Sequence, residues 1–205
     1  MKTTSYILLH FFIFSNFILA QDQPNGNSRA WYEIGTEEEI DSNEINLKPN
    51  AVYFQFNTEE KAKNLESLGF GWIEDNPESH FVAYLINTSD STFSSKLQDG
   101  SLLMIQEAMN EKGEWVPIEF WVRSGCGNSY FNALSLKPGQ QVMIPIKKYQ
   151  GSFKTKIRLK LQTGKEVFYS QTFEGAIELT QFNKETESVG GILYRGPANY
   201  LDEWP

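Results

Sequence analysis

A chain of 205 residues, 40% hydrophobic and 14% aromatic, is long enough for one domain with a sizeable core. Its 18 Lys and Arg against 26 Asp and Glu leave a net charge of −8, which argues against a nucleic-acid binder, whose affinity comes largely from cations neutralising phosphates, and against adhesion to anionic lipid. A single cysteine excludes an internal disulfide, so stability must come from the core.

In chain order, residues 1–20 read as a secretory signal peptide: a basic Met1-Lys2 start, the apolar run Ile7 to Leu19, and Ala20 before a polar stretch. Ile18, three residues before the cut, departs from the small-residue rule, and an uncleaved tether is the alternative. The apolar run is shorter than the roughly 20 residues a membrane-spanning helix needs, and no second such run follows. The mature chain, 21–205, is therefore expected without a transmembrane segment, in the periplasm or outside the cell. It carries 17 bases and 26 acids, a net −9.

Residues 21–50 read as an acidic leader outside the domain. From Glu33 to Leu47, Glu33, Glu37, Glu38, Glu39, Asp41 and Glu44 stand without a base, the composition of a solvated or disordered spacer. The D-x-D-x-D-G pattern of a calcium loop is missing. The domain is placed at 51–182. Val52 to Phe56 is strand-like. One short helix is expected after it, with Asn57 as cap, Glu60 at the capping-box position, and Ala62, Leu65 and Leu68 on one face before Gly69.

Strands follow. Phe81 to Ile86 and Ser101 to Met109 are apolar on nearly every residue, as strands buried on both faces are. Asn110 to Gly113 turns the second into Glu114–Val122, forming a hairpin. There Val116, Ile118, Phe120 and Val122 share the core face, and Trp115, Pro117, Glu119 and Trp121 the other. Lys137-Pro138-Gly139-Gln140 is a type II turn. Pro145, lacking an amide hydrogen, marks the next strand as an edge. Gln162 to Lys165 turns Phe153–Leu161 into Glu166–Tyr169, and a last strand runs near Thr172 to Phe182. About eight or nine short strands with regular turns predict an all-β sandwich. The tail, 183–205, carries aromatics that suit packing back on the domain.

Several segments resemble small, uncharacterised exported proteins of the Bacteroidota: Leu85 to Asp90, Gln98 to Leu102, Trp115 to Trp121, Cys126 to Ser129, and Leu136 to Gly139. The hairpin Phe153–Ser170 resembles the last two strands of immunoglobulin-like or fibronectin-like domains. The resemblance, over about 51–182, implies an immunoglobulin-like sandwich in the cell envelope and no catalytic residues.

Reaction chemistry is sparse. Cys126, between Gly125 and Gly127, reads as a buried structural cysteine at a strand end. The competing reading is a thiolate nucleophile of a hydrolase, for which His80 is the one partner left once His10 departs with the signal. Zinc, phosphate-loop and dinucleotide motifs are missing, so no cofactor is expected. A carboxylate pair needs no motif, but Glu107 and Glu119 are expected to face water or pair across the sheet. Asn87-Thr88-Ser89 fits a glycosylation sequon and reads more simply as a strand end.

Two surfaces compete as binding sites. In FKTKIRLKL, Lys154, Lys156, Arg158 and Lys160 line one face, suited to an acidic protein partner, or to solvation with Glu166, Glu174 or Glu178 beside them. Trp115 and Trp121, about 20 Å apart on one strand face, would suit a glycan or would pack under loops and tail. The expected function is an exported, non-catalytic binding module for a protein partner, with carbohydrate binding as the alternative.

Overall fold

The computed structural model describes residues 27–41, 47–61, 79–164, 166–184 and 196–203. The expected signal peptide, most of the expected helix and the first part of the tail lie outside them. Among the described residues, no helix is long and apolar enough to cross a membrane.

The protein is all-β, built from several antiparallel sheets. One sheet has the order β2 (Glu37–Glu39), β11 (Gln140–Lys147), β4 (His80–Asn87), β3 (Val52–Lys61). A second has the order β13 (Val167–Tyr169), β12 (Phe153–Gln162), β7 (Met104–Met109), β8 (Trp115–Pro117), with β14 (Phe173–Ile177) also on β12. The arrangement is sandwich-like. Phe54, Phe81, Ala83, Leu85, Val142, Ile144 and Ile146 of the first sheet share one core with Met104, Ile105, Leu159 and Leu161 of the second. A third sheet, β10 (Ala133–Leu136), β5 (Phe93–Gln98), β6 (Ser101–Leu102), adds Leu97, Leu102, Leu134 and Leu136 to it. Its β5–β6 turn is Asp99–Gly100, with φ of 51° and 88°, the left-handed pair that a tight hairpin requires.

Local chemistry explains the elements the sequence predicted. In Lys137–Gln140, Gly139 takes φ 82° and the Gln140 amide donates to the Lys137 carbonyl at 3.1 Å. Met143 offers its carbonyl to Gly35 on the side of β11 away from β4. The strand of Pro145, expected at an edge, instead lies between β2 and β4; Pro145 is tolerated because β2 ends opposite Val142, short of it. The β7–β8 hairpin pairs Met109 with Trp115 and Glu107 with Pro117.

Other segments differ. Asn57 to Lys61 continue β3 rather than cap a helix, and a register irregularity falls between Asn57 and Lys61. The leader joins the fold: β1 (Ser28–Arg29) pairs in parallel with β9 (Glu119–Phe120), and Ala30 and Tyr32 are buried. Glu37, Glu38 and Glu39 stay exposed on β2 while their backbones pair with β11. Edge pairing uses main-chain groups and leaves acidic side chains in water, so composition did not reveal it. The described end of the tail also packs on the domain, with Tyr200 and Leu201 buried and Asn199 exchanging hydrogen bonds with the Trp121 backbone.

Candidate functional site

The four cations of β12 do not form one free surface. Lys154 and Lys156 are exposed. Arg158 lies between two rings, 4.4 Å from the Trp115 centroid and 4.0 Å from that of Tyr169, and its Nε and Nη2 reach Glu107 Oε2 at 2.8 and 2.6 Å. Lys160 is 2% exposed, paired with Asp202 and, at 3.5 Å, with Glu107. Glu107 thus pairs across the sheet, and it, rather than the expected Glu166, Glu174 or Glu178, holds Arg158 and Lys160. Trp115 and Arg158, expected on competing surfaces, touch each other.

Trp121 is no sugar platform. It is 1% exposed, stacked on Trp31 with the rings 6.4 Å apart and nearly parallel, and its indole N–H donates to Gln98 at 3.2 Å. Its side of the strand is covered by the leader and by Asn199, which bonds its backbone; burial of so large an apolar surface is the favourable outcome.

Cys126 is exposed, contrary to the buried thiol expected. Trp121 and Val122 already fill the interior here, and the chain then leaves for a loop ending in the 3-10 turn Gly127–Tyr130. Gln98 fastens that loop, its Oε1 accepting from the Tyr130 hydroxyl at 2.6 Å and the Ser124 amide at 2.9 Å. His80 sits elsewhere, at the start of β4 across from Lys147, its Nδ1 2.9 Å from Ser79 Oγ. Burial, helped by the Lys147 charge, lowers its pKa to about 4. No hydrogen bond joins Cys126 to His80. Asn87, the sequon residue, is a buried strand end donating to the Leu136 and Ser91 carbonyls.

The chemistry gathers instead at Glu119, which was expected to face water or pair across the sheet. Glu119 is 2% exposed and neither faces water nor pairs with a cation. Its Oε2 accepts from the Tyr32 hydroxyl at 2.6 Å and the Gln106 amide at 2.7 Å. Its Oε1 accepts from the Tyr149 hydroxyl at 2.7 Å and Gln106 Nε2 at 3.3 Å. Burial raises the Glu119 pKa, against the downward pull of the two tyrosine hydroxyls, the Gln106 backbone amide and Lys147. Burial, and then the neighbouring carboxylate, push both tyrosines well above their usual value.

Beside this knot lies a cavity of about 300 Å³, lined by Phe81, Gln106, Lys147, Lys148, Tyr149, Ile157, Phe173, Glu174 and Gly175. Phe81 and Phe173 meet edge to face at 5.1 Å, and Phe56 packs on both. A Cβ at Gly175 would stand 2.4 Å from Ile157 Cδ1, so that side chain would have to turn to admit one. Lys147, Lys148 and Glu174 are exposed at its mouth. Gln106 is fully buried, its Nε2 committed to the Lys147 carbonyl at 2.9 Å as well as to Glu119. Both are pure acceptors, which fixes the amide's orientation. Its Oε1 is left buried without a hydrogen-bond partner. Unsatisfied buried acceptors are uncommon in folded proteins and call for an explanation.

Among the described residues, no group of three or more His, Cys, Asp or Glu could hold a metal ion. What the fold and the geometry define is an all-β protein with a walled, polar-ended cavity. No family model matches the chain, and neither a curated protein nor a solved structure matches it.

Proposed function

We propose that this is an exported, non-catalytic binding module with an immunoglobulin-like sandwich fold, acting in the periplasm or outside the cell, and that it takes its ligand in the cavity between the sheets. The sandwich reading is supported by strand order. The orders β3-β4-β11 and β7-β12-β13 match the A-B-E and C-F-G orders of immunoglobulin domains. Export is supported by the basic start, apolar run and small residue of 1–20.

The binding reading is carried by one observation: the buried Gln106 lines the cavity and keeps an unpartnered Oε1. Apolar walls with a few convergent polar groups are the usual composition of a ligand site. Protein-observed NMR with small aromatic fragments of neutral, anionic and cationic type tests it. Shifts should concentrate on residues 147–149 and 173–175; a panel that perturbs only other surfaces would refute the assignment.

A second reading is favoured by the exposure of Lys154 and Lys156 on one face of β12 in an acidic chain. Docking of an acidic protein there predicts that a Lys154→Glu/Lys156→Glu variant loses partner capture while staying folded. Unchanged capture removes it. Arg158 and Lys160, committed to Glu107 and Asp202, are not free to take part.

A further inference from the structure

The cavity's polar groups are placed at its two ends, and that separation specifies a ligand. At the inner end Gln106 lines the cavity, and its Oε1 is a buried acceptor without a hydrogen-bond partner, closed to solvent in this structure, so a ligand reaches it only as the wall yields. A ligand atom there must donate a hydrogen bond, because an acceptor would leave both groups buried and unpaired. In the middle, Phe81, Phe173 and Ile157 offer an apolar wall, backed by Phe56, against which a ligand ring can pack.

At the mouth stand Lys147 and Lys148, both exposed, and neither makes an ion pair among the described residues. Lys147 rests on the Tyr149 ring, with its Nζ 5.0 Å from the centroid, so its ammonium is held at the entrance. Glu174 also lines the mouth but stands directly across from Lys156 in the sheet, so a cation outside the cavity offsets it. The entrance is therefore cationic although the chain is acidic. A volume of about 300 Å³ equals roughly ten waters, enough for one ring with short substituents.

On the reading of this cavity as the ligand site, we infer that it accepts a small aromatic acid: a ring carrying a hydroxyl or N–H donor at the inner end and a carboxylate at the outer end. The donor satisfies Gln106, the ring stacks on Phe81 and Phe173, and the carboxylate meets Lys147 and Lys148. Desolvation inside the cavity makes the inner hydrogen bond the discriminating contact, while the exposed lysine contacts are screened by salt.

The probe is 4-hydroxyphenylacetate, compared by calorimetry with phenylacetate, which lacks the donor; tyramine, which exchanges carboxylate for ammonium; and p-cresol, which carries no charge. The expected result is at least tenfold tighter binding of 4-hydroxyphenylacetate than of phenylacetate or tyramine. Both lysines are exposed, so a Lys147→Ala/Lys148→Ala variant should fold. It should weaken 4-hydroxyphenylacetate about tenfold and leave p-cresol unchanged.

Equal binding of phenylacetate would overturn the donor assignment, and equal or tighter binding of tyramine the anionic one. In either case the cavity remains a ligand site of another class. Failure of all four compounds to bind would overturn the inferred class. If the fragment panel also leaves residues 147–149 and 173–175 unperturbed, the cavity reading falls with it.

Discussion

Replacing Glu107 by glutamine tests whether the cations of β12 are structural. Glu107 is 4% exposed and accepts two hydrogen bonds from Arg158, while Lys160, itself 2% exposed, stands 3.5 Å from its other oxygen. The amide keeps the shape and removes the charge, leaving two cations with Asp202 alone, whose side chain is 56% exposed. Breaking a buried ion pair costs about 3–5 kcal/mol. Here Asp202 still holds Lys160, and Arg158 reaches water and two aromatic faces, so about 2–3 kcal/mol is expected. Lys160→Met instead removes the buried cation and leaves Glu107 with Arg158, costing about 1 kcal/mol or less, as apolar replacements of buried charges often do. Urea is the denaturant of choice, because guanidinium chloride would screen the charges being measured. With m near 2 kcal/mol/M, Glu107→Gln should lower the midpoint by about 1–1.5 M at unchanged m. A loss below about 0.5 kcal/mol, or a larger loss for Lys160→Met, would refute the reasoning and return these cations to the surface.

Tyr32→Phe removes the 2.6 Å hydrogen bond to Glu119 from a residue expected to lie in the leader, and should cost about 1.5–3 kcal/mol in urea unfolding; no loss would put residues 27–41 outside the cooperative fold. Gly151→Ala would place a Cβ 2.0 Å from the Ile177 carbonyl carbon, which is backbone and cannot step aside, so a loss of about 3 kcal/mol is expected in the same assay. His80 is lowered to about 4 from 6.5, so the unfolded chain binds more protons between those values and stability should fall as pH drops through that window. Discounted for its partial exposure, the effect is on the order of 1–2 kcal/mol, and His80→Gln should flatten that limb of the pH profile. Glu119 runs the other way: its pKa is raised, so its contribution is present below the ordinary carboxylate range and is lost as pH rises through the folded value, a slope that Glu119→Gln should remove.

What the sequence disclosed was local. The Pro138-Gly139 turn, the β7–β8 hairpin and the alternation in β12 depend on residues within one turn or strand, and each was readable there. The burial of Ala30 and Tyr32 was not readable beside so many acids, because composition does not register edge pairing through the backbone. The Ser-rich β5 and the short β10 were passed over although Leu97, Leu134 and Leu136 point into the core. Glu119 was unreadable for another reason. Its partners Tyr32 and Tyr149 lie 87 and 30 residues away, and no spacing rule joins three such segments. Gln106 left a trace, as a polar residue inside the apolar run SLLMIQEAM, yet nothing in that run separates a cavity wall from a satisfied core glutamine.

The knot and the cavity are better understood together than apart. Glu119 holds hydrogen bonds from a leader tyrosine, a tyrosine beyond β11 and both nitrogens of Gln106, so three separate segments meet at one buried carboxylate. A leucine of similar volume would avoid its desolvation, and such replacements of buried charges are often neutral or stabilising. What an apolar knot could not do is fix the Gln106 amide. Nε2 is held by the Lys147 carbonyl at 2.9 Å, the Tyr32 hydroxyl at 3.1 Å and Glu119 at 3.3 Å, which leaves Oε1 as the unpartnered atom. On this reading the buried carboxylate is a positioning residue for ligand recognition, tolerated for the orientation it imposes. Tyr149→Phe, which removes one of its donors while leaving Gln106 in place, should then reduce stability by about 1.5–3 kcal/mol but preserve the preference for 4-hydroxyphenylacetate over phenylacetate. Glu119→Gln should erode that preference, because its amide can donate where the carboxylate only accepts, and the Lys147 carbonyl is then the one acceptor-only partner left to orient Gln106. Equal preference in the two variants would leave the carboxylate with a role in stability alone.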